Sequence, residues 1–260
     1  MLVDSDWVTV ITALAVHQVF RKIDTLCDIT GTHPGSDPPS RITSYLDLAA
    51  IDNGPATPVN AGVDKLVRSA DTDGYATTFI VAPSIIYGHP SGPLFEGPAP
   101  IAAPLTGVVR IFAHVAAGKG RPGIIGKGAN AWGYVHMEDD TNAYYRLFDA
   151  ALFGTTLVSH GREGYFFVTG SEHATHEVVR AIGEALVELG VTRGEEPAAL
   201  AVDEQVKYFE FFAEWLFANT RCKAERLRKE VGWVRNHTTH EEFTRDIKAD
   251  AGVAAKALKA

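Results

Sequence analysis

The stretch Phe-Ile-Val-Ala-Pro-Ser-Ile-Ile-Tyr-Gly at residues 79–88 constrains the fold more than any other part of this sequence. It begins as an apolar, β-branched run, which is typical of a short strand buried on both faces, as in parallel sheets. Pro83 has no N–H to donate, so we expect the strand to end there. Ligands of open α/β sheets bind at the carboxyl ends of the strands. The sequence therefore predicts a binding crevice just after Pro83.

The segments before this strand predict a βαβ unit. Residues 25–29 form a second apolar run, which is followed by Thr30, Gly31 and Thr32. Residues 59–70 place their apolar side chains on one helical face. A buried strand, a helix and another buried strand in this order indicate two paired parallel strands with a crossover helix between them.

The remaining segments predict further helices and one more strand. At the N-terminus, apolar residues at helical spacing predict a helix that contains Trp7, Val10, Ile11, Leu14 and Val19. After residue 88, the patterns predict helices at residues 107–117, about 140–152, 173–189 and 219–232, and a strand at residues 165–169.

Four short motifs occur in an order that resembles one enzyme family. They are Pro-x-x-Ile-Tyr-Gly starting at Pro83, the segments at residues 132–139 and 164–169, and a C-terminal helix that contains Asn219-x-Arg221 and ends at Gly232-Trp233. Together they resemble the extended or atypical short-chain dehydrogenase/reductases, the NAD-dependent epimerase/dehydratase group. The resemblance runs from about residue 7 to about residue 242 and corresponds to the C-terminal two-thirds of that family.

The resemblance implies an α/β fold: the C-terminal half of a doubly wound, Rossmann-like parallel sheet with a smaller, mostly helical substrate lobe. Residues 1–92 and 132–176 would form a partial NAD(P)-binding domain, and residues 93–131 and 177–260 the substrate-binding lobe. The implied cofactor is NAD or NADP, and the implied substrate is a small molecule with a carbonyl or hydroxyl group.

The same resemblance assigns candidate binding residues. The cofactor would contact the residues that follow the two buried strands, namely Gly31, Pro83, Ser84, Ile85 and Ile86. The substrate would contact Tyr87, His136 and Arg221. A histidine such as His136 is also commonly structural, and Arg221 is equally suited to a helix end.

The catalytic positions depart from the family pattern. The family uses Tyr-x-x-x-Lys, in which the lysine lowers the tyrosine pKa and the tyrosine exchanges a proton with the substrate. With Asp64 aligned to the glutamate that commonly follows that lysine, the two positions hold Ala56 and Asn60. If Lys65 is taken as the lysine instead, Ala61 stands in place of the tyrosine, so neither register supplies a phenol. Thr30 or Thr32 would match the hydroxyl that polarises the substrate carbonyl, and either is equally suited to cap the end of a strand.

The glycine-rich turn that binds the cofactor pyrophosphate in this family is also not found before residue 25. We therefore expect this chain alone to bind NAD or NADP weakly. Two functions remain open: an NAD(P)-dependent oxidoreductase, epimerase or dehydratase, and a non-catalytic member that senses a dinucleotide or binds a partner. The strand at residues 25–29 would lack one neighbour, which favours a homo-oligomer formed through the unpaired sheet edge.

The composition of the chain limits the classes of partner that it can bind. The chain has 260 residues and a net charge of -8, which argues against binding nucleic acid or an anionic membrane surface. Its two cysteines form no metal-binding pattern or disulfide framework and suit the cytoplasm. Spacing also predicts no metal site, because His160, His173 and His176 have no further metal-ligating residue beside them on one helical face apart from Glu172.

Overall fold

The computed structural model describes residues 9–13, 61–92, 95, 107–154, 158–209, 216, 217, 219 and 221–258. Within these residues the strands are β1 (Thr9–Ala13), β2 (Thr77–Pro83), β3 (Ile85–Tyr87), β4 (Gly123–Ile124), β5 (Ala131–His136), β6 (Tyr165–Val168), β7 (Ser171–Ala174) and β8 (Ala198–Ala199). The α-helices are α1 (Ala61–Thr72), α2 (Gly107–Lys119), α3 (Met137–Phe153), α4 (Thr175–Glu188), α5 (Val202–Phe209), α6 (Glu225–Val231) and α7 (His240–Ala257).

The first sheet is entirely parallel and has the order β1-β2-β6. Its central strand is β2, which pairs with β1 from Thr77 to Val81 and with β6 from Ile80 to Pro83. Most of β2 and all of β6 are buried, as expected for a strand without a solvated face. The strand predicted at Phe79 and its end at Pro83 are therefore confirmed.

The N-terminal prediction is wrong where the structure describes it. Thr9–Ala13 is a strand, whereas the apolar spacing of Val10 and Ile11 had predicted a helix. A short run of β-branched residues suits a strand in a parallel sheet as well as a helix face, and pairing with β2 favours the strand. β1 also lies where residues 25–29 were predicted to pair, so that pairing is wrong; residues 25–29 themselves lie outside the described residues.

The other predicted elements are mostly present. α1, α2, α3, α4 and β6 lie close to their predicted positions. The helix predicted at residues 219–232 is too long, because α6 begins only at Glu225. The prediction missed α7, whose N-terminus has a capping box in which Thr239 Oγ1 accepts from the N–H of Glu242 at 3.1 Å.

A second sheet has the order β3-β5-β7, with β3 parallel and β7 antiparallel to β5. The chain passes from the first sheet to the second twice, once from β2 to β3 through Ser84 and once from β6 to β7 through Thr169 and Gly170. Helices α2, α4 and α7 pack against one another beside the second sheet. No helix in the described part of the chain combines the length and apolar character needed to cross a membrane.

Candidate functional site

The two passages between the sheets lie side by side at the carboxyl end of β2 and β6. The N–H and the hydroxyl of Ser84 both donate to the carbonyl of Val168, at 2.9 and 3.1 Å. The N–H of Gly170 donates to the carbonyl of Tyr134 on β5 at 2.7 Å. This edge is the position at which open α/β sheets bind ligands. We call the edge formed by residues 83–88 and 168–170 the crossover edge.

Gly133 allows the second sheet to approach the crossover edge. A Cβ atom at Gly133 would lie 2.8 Å from Thr169 Oγ1 and 3.0 Å from Ser84 Cβ. Thr169 and Ser84 are both buried polar residues. Both hydroxyls therefore lie against the backbone of β5, in a position that a larger residue at 133 would not permit.

β3 carries the candidate substrate residue Tyr87 into a cluster of rings. Tyr87 is 3% exposed, and its ring lies edge-on to His136 and Phe243, with centroid distances of 5.3 and 4.9 Å. Burial raises the pKa of the Tyr87 phenol, and the nearby carboxylates of α7 and Asp139 raise it further. The hydroxyl therefore stays protonated near neutral pH and can donate a hydrogen bond. It does not replace a catalytic tyrosine, whose pKa must be lowered.

His136 ends β5 and caps α3. Its Nδ1 accepts the N–H of Glu138 at 3.2 Å, which leaves the proton of the neutral ring on Nε2. Its ring stacks on His237 with a centroid distance of 3.6 Å. Burial lowers the pKa of His136 and the neighbouring His237 lowers it further, against the opposing effect of Asp246, whose Oδ2 lies 3.7 Å from Nε2. His136 is therefore a neutral, well-packed residue.

Two aspartates hold the loops that surround His136. Asp139 is 1% exposed and accepts the N–H groups of Asn236 and His237 at 2.8 and 3.1 Å. Asp250 on α7 is fully buried; it accepts the N–H of Gly88 at 3.2 Å and pairs with His89 Nδ1 at 2.7 Å. Burial raises the pKa of Asp250 to about 6, against the opposing effect of His89. Asp250 thus fixes the loop after β3 onto α7, and Asp139 fixes the segment before α7 onto α3.

Asp64 lies on α1, where its side chain is buried against the first sheet. The hydroxyl of Tyr165 on β6 donates to Asp64 Oδ2, and Asp64 is 3% exposed. Burial raises its pKa to about 7, with Arg68 acting in the opposite direction. The residue aligned with the family glutamate is therefore a buried contact between α1 and the sheet.

The predicted site residues separate into three groups. The structure brings together six of them around the crossover edge, all buried: Pro83, Ser84, Ile85, Ile86, Tyr87 and His136. Arg221 instead forms an ion pair with Glu172 at 2.7 Å. Thr30, Gly31, Thr32 and Asn60 lie outside the described residues.

Four further residues around Tyr87 and His136 were not predicted from the sequence: Asp139, His237, Asp246 and Asp250. Asp139 had one visible signal, its position in the acidic first turn of α3. The others are brought to the loop after β3 by α7 and the segment before it, which lie far away in the chain, so no local pattern connects them to Tyr87 or His136.

Comparisons with known proteins show the class of fold. No protein-family model matches the chain. An uncharacterised protein of Saccharomyces cerevisiae is 26% identical over 125 residues, which cover 48% of this chain and 37% of that protein.

Several solved structures share the fold at low sequence identity. UDP-glucose 4-epimerase of Thermotoga maritima with UDP-glucose has a TM-score of 0.53 and 12% identity, with 88% of this chain and 62% of that chain covered. The dTDP-glucose 4,6-dehydratase of Streptomyces venezuelae with bound NAD has a TM-score of 0.50 and 16% identity, with 83% and 56% covered. For L-threonine dehydrogenase of Phytophthora infestans the TM-score is 0.50, the identity 14%, and the coverage 90% and 63%.

These structures show that the chain has an α/β fold shared with dehydrogenases, epimerases and dehydratases. The chain spans less than two thirds of the length of each. The likeness agrees with the Rossmann-like fold that the motifs around Pro83 and Gly232 implied.

Proposed function

We propose that this chain forms the crossover-edge part of an NAD(P)-linked oxidoreductase, epimerase or dehydratase that binds a small carbonyl or hydroxyl compound. The observation that carries the proposal is the pair of adjacent passages at Ser84 and Thr169, located at the carboxyl ends of parallel strands. The fold shared with a dehydratase structure that contains NAD supports it. In this proposal, residues 83–86 face the nicotinamide and Tyr87 donates a hydrogen bond to the substrate oxygen.

The raised pKa of Tyr87 limits the rate that we expect for the proposed reaction. Its raised pKa makes it a donor that stays protonated, and the aligned catalytic positions hold Ala56 and Asn60. A positioned acid or base contributes about 10² to 10⁴ in rate. We therefore expect only trace turnover even at saturating cofactor. This observation also favours the second candidate function, a non-catalytic module that binds a dinucleotide or a partner.

The proposal is tested by binding in the presence of saturating NADH or NADPH, with a panel of small aldehydes, ketones and alcohols titrated by calorimetry. Loss of one hydrogen bond costs about 0.5 to 1.5 kcal/mol, so we expect Tyr87→Phe to weaken binding of the best compound about 2- to 10-fold. Tyr134→Phe removes a buried hydroxyl from the neighbouring strand and is the matched control, which should bind as the wild type does. Equal effects of the two variants, or no binding by any compound, would contradict the proposal.

Turnover of the same compounds separates the two candidate functions. A non-catalytic module binds without oxidising or reducing the nicotinamide, which is followed by absorbance. A rate of several per second would show instead that the alignment through Asp64 is wrong.

A further inference from the structure

Three side chains that can bind a metal ion meet where β7 enters α4 and α7 begins. His173 lies at the end of β7, Glu177 in the first turn of α4, and His240 is the first residue of α7. Glu177 Oε1 lies 3.1 Å from His173 Nδ1 and 3.0 Å from His240 Nδ1. One ligand atom from each residue lies within 4.8 Å of the others.

These distances match the spacing of ligands around a small tetrahedral ion. Nitrogen and oxygen ligands about 2.0 to 2.1 Å from Zn²⁺ lie about 3.3 Å apart at the tetrahedral angle. Two histidines and one carboxylate are also a common Zn²⁺ ligand set, with solvent in the fourth position. A shared carboxylate oxygen that faces two Nδ1 atoms is therefore close to the geometry of an ion-binding site.

The opposite ring nitrogens have the partners that metal-binding histidines require. His173 Nε2 lies 3.0 Å from Ser171 Oγ, and His240 Nε2 lies 3.3 Å from Thr244 Oγ1. In the ion-free structure both Nδ1 atoms contact Glu177. When an ion replaces these contacts, a hydroxyl that accepts from Nε2–H holds the neutral ring in the tautomer whose Nδ1 lone pair faces the metal. Both rings are thus oriented with Nδ1 towards Glu177.

The site combines one rigid ligand with two that solvent can reach. His173 is 8% exposed, and its ring stacks on Phe243 with a centroid distance of 3.6 Å and an angle of 4°. The side chains of Glu177 and His240 are 40% and 66% exposed. An ion can therefore reach the group directly from solvent and coordinate a ligand that is already fixed.

A second group, His136, Glu138 and His237, is less suited to a metal ion. Its two rings stack at 3.6 Å and 24°, so their in-plane lone pairs run side by side and do not converge on one point. His136 Nδ1 accepts the N–H of Glu138, and His237 Nδ1 faces Asp139 at 3.3 Å. Two nitrogens of this group are thus already occupied.

We propose that His173, Glu177 and His240 bind a divalent transition-metal ion, with Zn²⁺ the ion that best fits the ligands. The ion joins the start of α7 to α4, and solvent fills its remaining coordination position. None of its three ligands belongs to the crossover edge, and the proposal does not depend on the proposed function. Spacing along the chain had predicted no metal site at His173, because His240 comes from a distant helix.

The test titrates Zn²⁺ into the chelator-treated full chain by calorimetry, with Co²⁺ absorbance as a second readout of tetrahedral coordination. We expect one ion per chain. His240→Ala, at an exposed position, should weaken binding more than about 100-fold, since even loss of an outer partner costs 10- to 100-fold. Ser171→Ala removes such an outer partner and should weaken binding at least about 10-fold.

Glu138→Gln is the matched control, because it removes the exposed ligand of the second group. We expect it to bind Zn²⁺ as the wild type does, and Zn²⁺ to raise the melting temperature of both but not of His240→Ala. The proposal is overturned if the wild type binds no Zn²⁺ at micromolar concentrations. It is equally overturned if Glu138→Gln loses binding and His240→Ala retains it.

Discussion

Gly88 lies so close to His136 that a Cβ atom at position 88 would be 2.3 Å from the imidazole Nε2. Gly88 also has a φ of 87°, in the region that side chains disfavour. The N–H of Gly88 is held by Asp250 on α7, so the loop has little freedom to move away from the ring. The glycine of the Tyr-Gly motif is thus required by the packing of the loop that follows β3.

The first prediction concerns this glycine. Gly88→Ala combines backbone strain of about 1 to 2 kcal/mol with displacement of the His136 ring, so we expect a loss of about 3 kcal/mol in the free energy of unfolding. Gly74→Ala is the control, since Gly74 has a φ of 71° with no atom within 4 Å of the added Cβ. The free energy of unfolding of Gly74→Ala should fall by only about 1 to 2 kcal/mol. Urea unfolding measures both; equal losses would show that the His136 contact is unimportant.

The second prediction concerns pH. Burial raises the pKa of Asp140 to about 7, from 3.8. The folded state therefore binds more protons than the unfolded state between these values, and this carboxyl makes the protein less stable as pH rises through that window. Asp140→Asn removes the effect. The free energy of unfolding of the variant, measured relative to that of the wild type, should therefore increase by about 2 kcal/mol from pH 5 to pH 8.

Asp149→Asn on the exposed face of the same helix is the control for Asp140→Asn. Urea unfolding at the two pH values should show no comparable change for this variant. If the stability of Asp140→Asn relative to the wild type is the same at both values, the carboxyl at position 140 does not titrate as burial requires.

The third prediction concerns assembly. β1 is the last strand of its sheet within the described residues, and we propose that its far edge pairs with another chain. We expect the 28.1 kDa chain to form a dimer or a larger assembly. Light scattering coupled to size exclusion, over a concentration series, measures this. A monomer at all concentrations would mean that the edge of β1 is covered.

Local pattern was enough to predict the buried strand at Phe79 and its end at Pro83, since β-branched residues followed by proline act over a few residues. It misassigned Thr9–Ala13, because a five-residue strand gains its stability from pairing with β2, which spacing within the segment does not show. The contacts of Gly88 with Asp250 and of His173 with His240 depend on where α7 docks. No short motif could have predicted them.

We propose that the crossover edge binds a nicotinamide dinucleotide, and amide chemical shifts test this proposal most directly. The isotope-labelled chain is titrated with NADH or NADPH to about 10 mM, since we expect a Kd in the millimolar range, about -4 kcal/mol. We predict shifts at Ser84, Ile85 and Gly170, and none at Thr77 or Gly164 at the opposite end of the strands. Inorganic phosphate at the same concentration should not reproduce them. Unchanged signals at Ser84 and Gly170, or shifts confined to the opposite end, would contradict the account.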